Sequence, residues 1–261
     1  MDKTKLLTDL YNFNCFKFGD FKLKSGIQSP FYINLRNLIN QPEYLKNVCK
    51  FISPELDNIS NNFEYYIAGL PYAGLPYANT LSLEKNIPQL IIRKEQKKHG
   101  LGNIIDGVRE EHLIKDYIVN IVLIEDIMVT GGSILDGINK LKQSSINFNI
   151  LKIISIVDRE QGGCEKLKNL GYNVVSIFKI TDIFDILESN DNLMLKKEIF
   201  TKSRNFVLEQ QNQHVLLNRN IVKLEDRKQL ANNSIFNKII DIMLIKKSNL
   251  CVALDFDNTS K

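Results

Sequence analysis

The apolar positions of the chain fall into short runs that alternate with helical patterns. Runs rich in Ile and Val occupy residues 65–69, 89–93, 118–124, 150–157 and 174–178. Helical patterns accompany four of them, at 73–85, 133–143, 163–170 and 181–189. Apolar strands of this kind are typical of a parallel sheet that helices cover on both faces. The pattern therefore predicts an α/β fold, in which ligands lie beyond the carboxyl ends of the strands.

The flanking segments follow other patterns. The first residues predict an amphipathic helix at 2–14, a polar and aromatic segment with strand-like alternation at 16–38, and a helix at 42–57. Towards the C-terminus a helix is expected at 192–212, a polar linker-like stretch from 210 to 233, a further helix at 234–246 and a new strand at 249–255. We therefore expect a first domain at 1–212, a linker at 213–247 and the start of a second domain at 248–261.

Composition limits the class of protein. The apolar fraction of 44% and the charged fraction of 25% are those of a soluble globular protein. A net charge of +4, spread along 261 residues, argues against a dedicated nucleic-acid-binding protein but not against small polyanionic ligands. No run reaches the roughly 18 apolar residues that a membrane span requires, and the four cysteines show no metal-binding spacing. We expect a cytoplasmic protein with no nucleic-acid or membrane partner.

Residues 121–133 carry the most informative arrangement of side chains. They read Ile-Val-Leu-Ile-Glu-Asp-Ile-Met-Val-Thr-Gly-Gly-Ser, so a buried strand ends on Glu125 and Asp126, and a turn of small residues opens a helix. The N–H groups of such a turn and the positive end of the helix dipole favour a phosphate dianion. Gly131 and Gly132 allow close backbone approach, and the carboxylates can accept hydrogen bonds from a ribose diol. The segment therefore indicates a site for ribose 5-phosphate.

This arrangement resembles the signature of type I phosphoribosyltransferases. The resemblance implies the type I phosphoribosyltransferase fold, a mostly parallel sheet flanked by helices with a small N-terminal hood. It also implies that Asp126 takes part in catalysis and that phosphoribosyl pyrophosphate (PRPP) contacts Glu125, Asp126, Ile127, Met128, Val129, Thr130, Gly131, Gly132 and Ser133. The alternative is an ordinary strand–turn–helix whose carboxylates face water. The segment is not a Walker P-loop, because no Lys-Ser or Lys-Thr follows the glycines.

Residues 18–36 resemble orotate phosphoribosyltransferases more specifically. They read Phe-Gly-Asp-Phe-Lys-Leu-Lys-Ser-Gly-Ile-Gln-Ser-Pro-Phe-Tyr-Ile-Asn-Leu-Arg. The resemblance places Lys24 at the pyrophosphate donor, and Tyr32 and Ile33 beside the pyrimidine. Taken alone, the segment could equally be an aromatic-rich edge strand with a Pro turn.

Two further stretches resemble the donor-binding segments of the same family. Residues 69–76, Gly-Leu-Pro-Tyr-Ala-Gly-Leu-Pro, form a rigid turn after a strand and imply that Tyr72 and Ala73 contact the donor. Some family members have Lys in place of Ala73. Residues 93–107 are cationic and glycine-rich, as expected for a mobile loop that stabilises the charge of departing pyrophosphate. Here the resemblance implies donor-binding residues, with Lys97 as the catalytic one: Arg93, Lys94, Lys97 and His99.

Residues 157–163, Val-Asp-Arg-Glu-Gln-Gly-Gly, follow a later strand. A guanidinium fork matches a carboxylate in bidentate fashion, and Arg159 corresponds to the orotate-binding arginine of the family. An ion pair with Asp158 or Glu160 is the structural alternative. One departure concerns Val129, which stands where the family usually has a Thr whose hydroxyl contacts orotate; we therefore expect one polar contact to be missing.

Together these stretches, which span residues 1–212, imply transfer of a phosphoribosyl group from PRPP to orotate in pyrimidine biosynthesis. Magnesium (Mg²⁺) is expected to enter as a complex with PRPP rather than in a protein cage. In the family the cationic loop reaches the neighbouring subunit, which implies a homodimer. The alternatives are a purine phosphoribosyltransferase and a non-catalytic regulator that senses PRPP.

The last residues carry a separate resemblance. Residues 248–255, Ser-Asn-Leu-Cys-Val-Ala-Leu-Asp, resemble the first strand of orotidine 5′-phosphate decarboxylase, which follows this domain in bifunctional uridine monophosphate synthases. The Asp/Lys catalytic cluster of that family lies further downstream, so we expect no decarboxylase activity from this chain. Residues 254–259 also resemble the Asp-x-Asp-x-Thr motif of haloacid-dehalogenase-type phosphatases, and a disordered tail is the third alternative.

Overall fold

The structure is a computed structural model that describes residues 2–23, 26–59, 63–95, 104–193 and 195–219, with side chains up to residue 212. Residues 1–212 form one compact unit, and a second unit begins at Gln213. The predictions for residues 220–261, including the second domain, lie outside the described residues. Within the part of the chain that is described, no helix has both the length and the apolar character needed to cross a bilayer.

A sheet of six strands forms the centre of the described part of the first unit. Its strands, in chain order, are β3 (Tyr66–Gly69), β4 (Gln89–Ile92), β5 (Ile105–Asp106), β6 (Ile118–Met128), β7 (Asn147–Asp158) and β8 (Val174–Lys179). Their order across the sheet is β5-β4-β3-β6-β7-β8. β5 runs antiparallel to β4, and the other neighbours pair in parallel. The predicted mostly parallel α/β sheet is confirmed.

Side chains of the central strands alternate between two cores. On β6, Val122 and Ile124 pack into one cluster, whereas Ile121 and Leu123 pack into the other. Helices of the first face are α1 (Lys3–Asn12), α2 (Pro42–Asp57), α3 (Leu75–Lys85) and α6 (Ile180–Glu188); those of the second are α4 (Gly132–Lys142) and α5 (Gly163–Asn169). Because both faces are covered, ligands reach β6 and β7 only at the strand ends.

A two-stranded antiparallel sheet, β1 (Phe16–Lys22) and β2 (Gln28–Ile33), forms the predicted hood. Its buried residues Phe16 and Phe31 join the first core together with residues of α6 and of α7 (Lys197–Arg219). The strand pattern expected up to residue 38 ends at Ile33, and residues Leu35–Asn40 form a 3₁₀ helix instead. Leu35 and Leu38 are the buried residues of that turn, a spacing of three that matches a 3₁₀ helix.

Two short elements and the ends of one helix also differ from expectation. β5 and a 3₁₀ turn at Glu110–Leu113 have no counterpart in the prediction, because β5 has only two residues and depends on pairing with β4. The helix expected at 192–212 begins instead at Lys197, after a 3₁₀ turn at Asp191–Leu193. It continues to Arg219, so residues 213–219 of the predicted linker are helical. Four residues of this stretch are good helix formers: Gln213, Leu216, Leu217 and Arg219.

Candidate active site

The carboxyl end of β6 places two acidic side chains at the edge of the sheet. β6 continues beyond the expected end at residue 124, so Glu125 and Asp126 lie on the strand itself. Glu125 is 7% exposed, and Asp126 is half-buried. Burial, followed by the negative charge of Asp126, raises the pKa of Glu125 to about 8, while Arg36 acts in the opposite direction. Glu125 is therefore protonated at neutral pH and can both donate and accept a hydrogen bond.

Residues 129–133, named here the phosphate turn, lead from β6 into α4. Gly131 has a φ of 72°, and a Cβ at this position would also approach Leu167 at 3.2 Å. α4 begins at Gly132, so its first N–H groups lack partners within the helix. These N–H groups and the positive end of the helix dipole favour a phosphate group. A cavity of about 200 Å³ opens here, lined by Glu125 and residues 127–134.

Residues 158–163, named here the arginine turn, pack directly against the phosphate turn. The Arg159 N–H donates to the Met128 carbonyl at 2.9 Å, and the Gly163 N–H donates to the Val129 carbonyl at 3.1 Å. A Cβ at Gly163 would lie 2.7 Å from the Val129 oxygen and 2.8 Å from the Gly131 nitrogen. Gly163 therefore permits the close approach of the two turns. Sequence reasoning did not select it, although its place at the start of a helix after a strand was a usable signal.

Arg159 is a buried cation without a carboxylate partner among the described residues. Its side chain is 6% exposed, its Nη2 donates to Ser29 Oγ at 3.3 Å, and its guanidinium lies 4.7 Å from the centre of the Phe31 ring. Its Nε has no hydrogen-bond partner. Burial lowers the pKa of Arg159 to about 10, so it is still charged at neutral pH. A buried guanidinium with unused donors is a binding site for an anion.

The two acids beside Arg159 form other hydrogen bonds. The Glu160 N–H donates to Asp158 Oδ1 at 2.8 Å. Glu160 Oε2 accepts from the Thr181 N–H at 3.0 Å and from the Thr181 hydroxyl at 2.6 Å. Burial is the main cause that raises the pKa of Asp158 to about 6. The expected alternative, an ion pair of Arg159 with Asp158 or Glu160, does not form.

The hood contributes residues that sequence reasoning did not select. Ser29 and Phe31 lie on the inward face of β2 and contact Arg159. Ile33 lies on the same face and is buried, whereas Tyr32 points to the other face, where its ring packs 5.6 Å from that of Phe21. The period-two alternation of the strand was the available signal. The orotate-binding roles of Tyr32 and Ile33 remain predictions.

The turn after β3 lies at the same edge of the sheet as the phosphate turn. Gly69 pairs with Ile124 of β6, and the Leu70 N–H donates to the Ile124 carbonyl at 2.9 Å. Tyr72 is 62% exposed, whereas Ala73 is buried, so Ala73 offers a ligand its backbone rather than its side chain. The PRPP-binding roles predicted for both residues are untested.

The cationic loop, residues 93–107, begins after β4 and ends at β5. Arg93 forms an ion pair with Asp106 at 2.5 Å, which joins the ends of β4 and β5. Lys94 Nζ lies 5.4 Å from the centre of the Tyr72 ring, so the start of the loop reaches the turn after β3. The remaining predicted residues of this group, Lys24, Lys97 and His99, lie outside the described residues.

Arg36 is a further residue to which the sequence reasoning assigned no role. It extends from the 3₁₀ helix that follows β2, and its charge lowers the pKa of both Glu125 and Asp126, against the larger effect of burial. The Tyr77 hydroxyl fixes this segment by donating to the Leu35 carbonyl at 3.1 Å. Among the described residues, no group of three or more His, Cys, Asp or Glu side chains could hold a metal ion.

Two sequence relatives share most of the chain. Over 270 residues it is 34% identical to the uridine 5′-monophosphate synthase of Caenorhabditis elegans, and this match covers 97% of this chain and 52% of that protein. Over 182 residues it is 32% identical to the orotate phosphoribosyltransferase of Pyrococcus horikoshii, and this match covers 70% of this chain and 93% of that protein. The chain spans about half the length of the uridine 5′-monophosphate synthases that it matches. No family model matches it.

A solved structure shares the arrangement of elements. The Leishmania donovani UMP synthase superposes with a TM-score of 0.68 at 28% identity, over 80% of this chain and 43% of that one.

Proposed function

The chain belongs to the orotate phosphoribosyltransferase family, and we propose that it transfers the phosphoribosyl group of PRPP to orotate, with release of pyrophosphate. The product, orotidine 5′-phosphate, belongs to pyrimidine (UMP) biosynthesis. The observation that carries the proposal is the buried guanidinium of Arg159, which has an unused Nε donor among the described residues and belongs to the turn that packs against the phosphate turn. A planar anionic base next to a sugar phosphate is the kind of ligand that this arrangement matches.

In this proposal the donor lies along the carboxyl ends of β3, β4 and β6. The N–H groups of the phosphate turn bind the 5-phosphate, and Glu125 and Asp126 hold the ribose hydroxyls. Glu125, protonated in the ligand-free protein, can donate to one hydroxyl oxygen and accept from another. The pyrophosphate then extends towards Lys94 and the backbone of the turn after β3. The proximity of Lys94 to the Tyr72 ring supports this direction.

The acceptor lies between β2 and the arginine turn. The guanidinium of Arg159 binds the orotate carboxylate, and Phe31 and Ser29 fix the position of the guanidinium. The bond from C1 of the ribose to pyrophosphate breaks through an oxocarbenium-like state, and N1 of orotate attacks C1 from the opposite face with inversion, while the proton of N1 is released to solvent. Lys97 and His99 stabilise the charge on the departing pyrophosphate in this proposal.

Magnesium is part of the proposal as a complex with PRPP. The carboxylates at the site fit an ion that is held mainly through the oxygens of the donor, because Mg²⁺ prefers oxygen ligands and often binds through substrate phosphates. The residues that hold the donor, the phosphate turn and Asp126, would thereby hold the ion. When bound, it would neutralise part of the pyrophosphate charge.

The same resemblance supports two further proposals. We propose a homodimer in which the loop at 93–107 acts at the site of the neighbouring subunit. We also propose a cytoplasmic location. A molar mass measured in solution with and without PRPP checks the first.

The reaction is tested by the loss of orotate absorbance after mixing protein, Mg²⁺, PRPP and orotate, with adenine, hypoxanthine and uracil as parallel controls. We expect orotate consumption with equimolar pyrophosphate release and none with the controls. Turnover of adenine or hypoxanthine would indicate a purine phosphoribosyltransferase. Binding of PRPP without turnover of any base would indicate a regulator instead.

A further inference from the structure

Glu160 has an unusual backbone conformation directly after Arg159. Its φ is 56°, in the left-handed region that side chains other than Gly, Asn and Asp seldom adopt. The conformation costs free energy, and Glu160 directly follows Arg159, whose side chain contacts Ser29 and Phe31 of the hood. Something must therefore stabilise Glu160 in this conformation.

The side chain of Glu160 supplies that stabilisation. Its Oε2 accepts two hydrogen bonds from Thr181, one from the N–H at 3.0 Å and one from the hydroxyl at 2.6 Å. Thr181 lies in the first turn of α6, where a carboxylate also interacts favourably with the helix dipole. From the other side, Asp158 Oδ1 accepts from the Glu160 N–H at 2.8 Å.

The same hydrogen bonds keep a competing anion away from Arg159. Glu160 is the next residue in the chain, so a carboxylate released from Thr181 is a neighbouring charge with which the buried guanidinium can pair. Such an ion pair would occupy the donors that an incoming carboxylate needs. Thr181 therefore acts on Arg159 through Glu160.

We propose that Glu160 and Thr181 form a positioning pair, which holds the arginine turn in its conformation and keeps Arg159 free to bind the carboxylate of orotate. The inference rests on the proposed function of the site, because it assigns the orotate carboxylate to Arg159. It gives Glu160 no contact with either substrate. The pair is a determinant of acceptor binding and leaves donor binding to the phosphate turn.

Three substitutions at Glu160 separate the effect of the carboxylate from the effect of the backbone conformation. Glu160→Gln keeps an oxygen that can accept from Thr181, Glu160→Ala removes it, and Glu160→Gly removes it but adopts a positive φ without strain. We expect KM for orotate to rise about 10-fold or more in the Ala and Gly variants, and by less than about 3-fold in the Gln variant. KM for PRPP should stay within about 2-fold of wild type in all three. Rescue by Gly instead of Gln, or a parallel rise of both KM values, would overturn the inference.

Thr181→Val tests the competition directly. It removes the hydroxyl but keeps the N–H and the shape of the side chain. In the wild-type background the carboxylate, then held by the N–H alone, should raise KM for orotate about 5- to 10-fold, whereas in the Glu160→Gln background, where no charge can compete, the same substitution should change it by less than about 2-fold. Equal effects in the two backgrounds would contradict the proposed competition.

A crystal structure of Glu160→Ala gives a readout that does not depend on the reaction. We expect the Arg159 guanidinium to leave its position between Ser29 and Phe31, and an unchanged guanidinium would overturn the positioning role even if the variant were inactive. If the wild-type protein does not use orotate, the proposed function fails, and this structure still decides whether the pair positions Arg159.

Discussion

The turns that follow β6 and β7 are built alike but present opposite charges. Both leave the sheet at the same edge, both lie close in the chain to two acidic residues, and both enter a helix through a glycine with positive φ, Gly131 in one and Gly162 in the other. The phosphate turn has Glu125 at its cavity and offers N–H groups beside it. The arginine turn offers a guanidinium.

Hydrogen bonds decide which charge the arginine turn presents. Two acids and one arginine give the arginine turn a negative charge in the sequence. Its carboxylates are nevertheless engaged by the Glu160 N–H and by Thr181, so the charge left without a partner is that of Arg159. Which charge a turn presents to a ligand therefore depends on which side chains are already engaged.

Arg159→Met removes that charge and should have the largest effect. Loss of a bidentate, charge-assisted contact in a buried site should lower kcat/KM for orotate about 100- to 1,000-fold and leave the Kd of PRPP unchanged. Because the guanidinium is buried without an ionic partner, an apolar replacement should leave the Tm equal to or above that of wild type. Steady-state kinetics, PRPP titration and thermal unfolding measure the three quantities.

Arg204→Met is the matched control. Arg204 lies on α7 and is engaged by Asp185 and Glu188 at 2.7 and 2.6 Å. Its removal should lower the Tm without a change in kcat/KM. Similar kinetics for the two variants, or a strong loss of PRPP affinity in Arg159→Met, would argue against separate roles for the two turns.

The sequence predicted the elements whose signals are local. The helix at Pro42–Asp57 was placed at its observed ends, because a proline at its first position and an amphipathic pattern mark it within one segment. The apolar runs of β3, β6 and β8 were found in the same way, and the solved relative confirms the type I phosphoribosyltransferase fold. β5 was missed because its short pairing with β4 joins residues from the two ends of the cationic loop.

In the candidate site, too, the residues with local sequence signals were predicted, and the contacts between distant segments were not. Glu125 and Asp126 could be placed at a strand end from one stretch of sequence, and so could Arg159. The contacts that make Arg159 available could not, since Ser29 is 130 residues away and Thr181 belongs to the next strand–helix unit. No local pattern indicates which of three neighbouring charges stays without a partner.

Gly163→Ala tests the contact between the two turns. The added Cβ would overlap the Val129 oxygen and the Gly131 nitrogen, so the phosphate turn must shift. Overpacking of this kind should lower kcat/KM for PRPP roughly 10- to 100-fold. Gly171→Ala is the control: it imposes strain at a φ of 87° but meets no atom within 4 Å, so it should reduce stability and leave KM unchanged. Wild-type KM values in Gly163→Ala would show that the turns move independently.

Glu125→Gln tests the electrostatics of the phosphate turn through pH. A carboxyl whose pKa is raised by folding favours the folded state while it is protonated, and this contribution is lost as pH rises from its ordinary pKa towards the value of about 8 in the folded protein. Gln cannot ionise. We therefore expect the variant to gain on the order of 1–2 kcal/mol over wild type in the free energy of unfolding between about pH 5 and about pH 8. Urea unfolding at both pH values measures the difference, and parallel profiles would indicate an ordinary pKa for Glu125.

Val129→Thr should have the smallest effect. It tests whether the phosphate turn, as well as the arginine turn, can contact the acceptor. Val129 lines the cavity of the phosphate turn, and it brings no side-chain donor to the acceptor base. A threonine of nearly the same shape adds one hydroxyl, and one neutral hydrogen bond contributes about 0.5–1.5 kcal/mol, so KM for orotate should fall about 2- to 10-fold with KM for PRPP unchanged. If KM for orotate stays constant, the hydroxyl bonds to the protein instead, and recognition of the acceptor rests on the arginine turn alone.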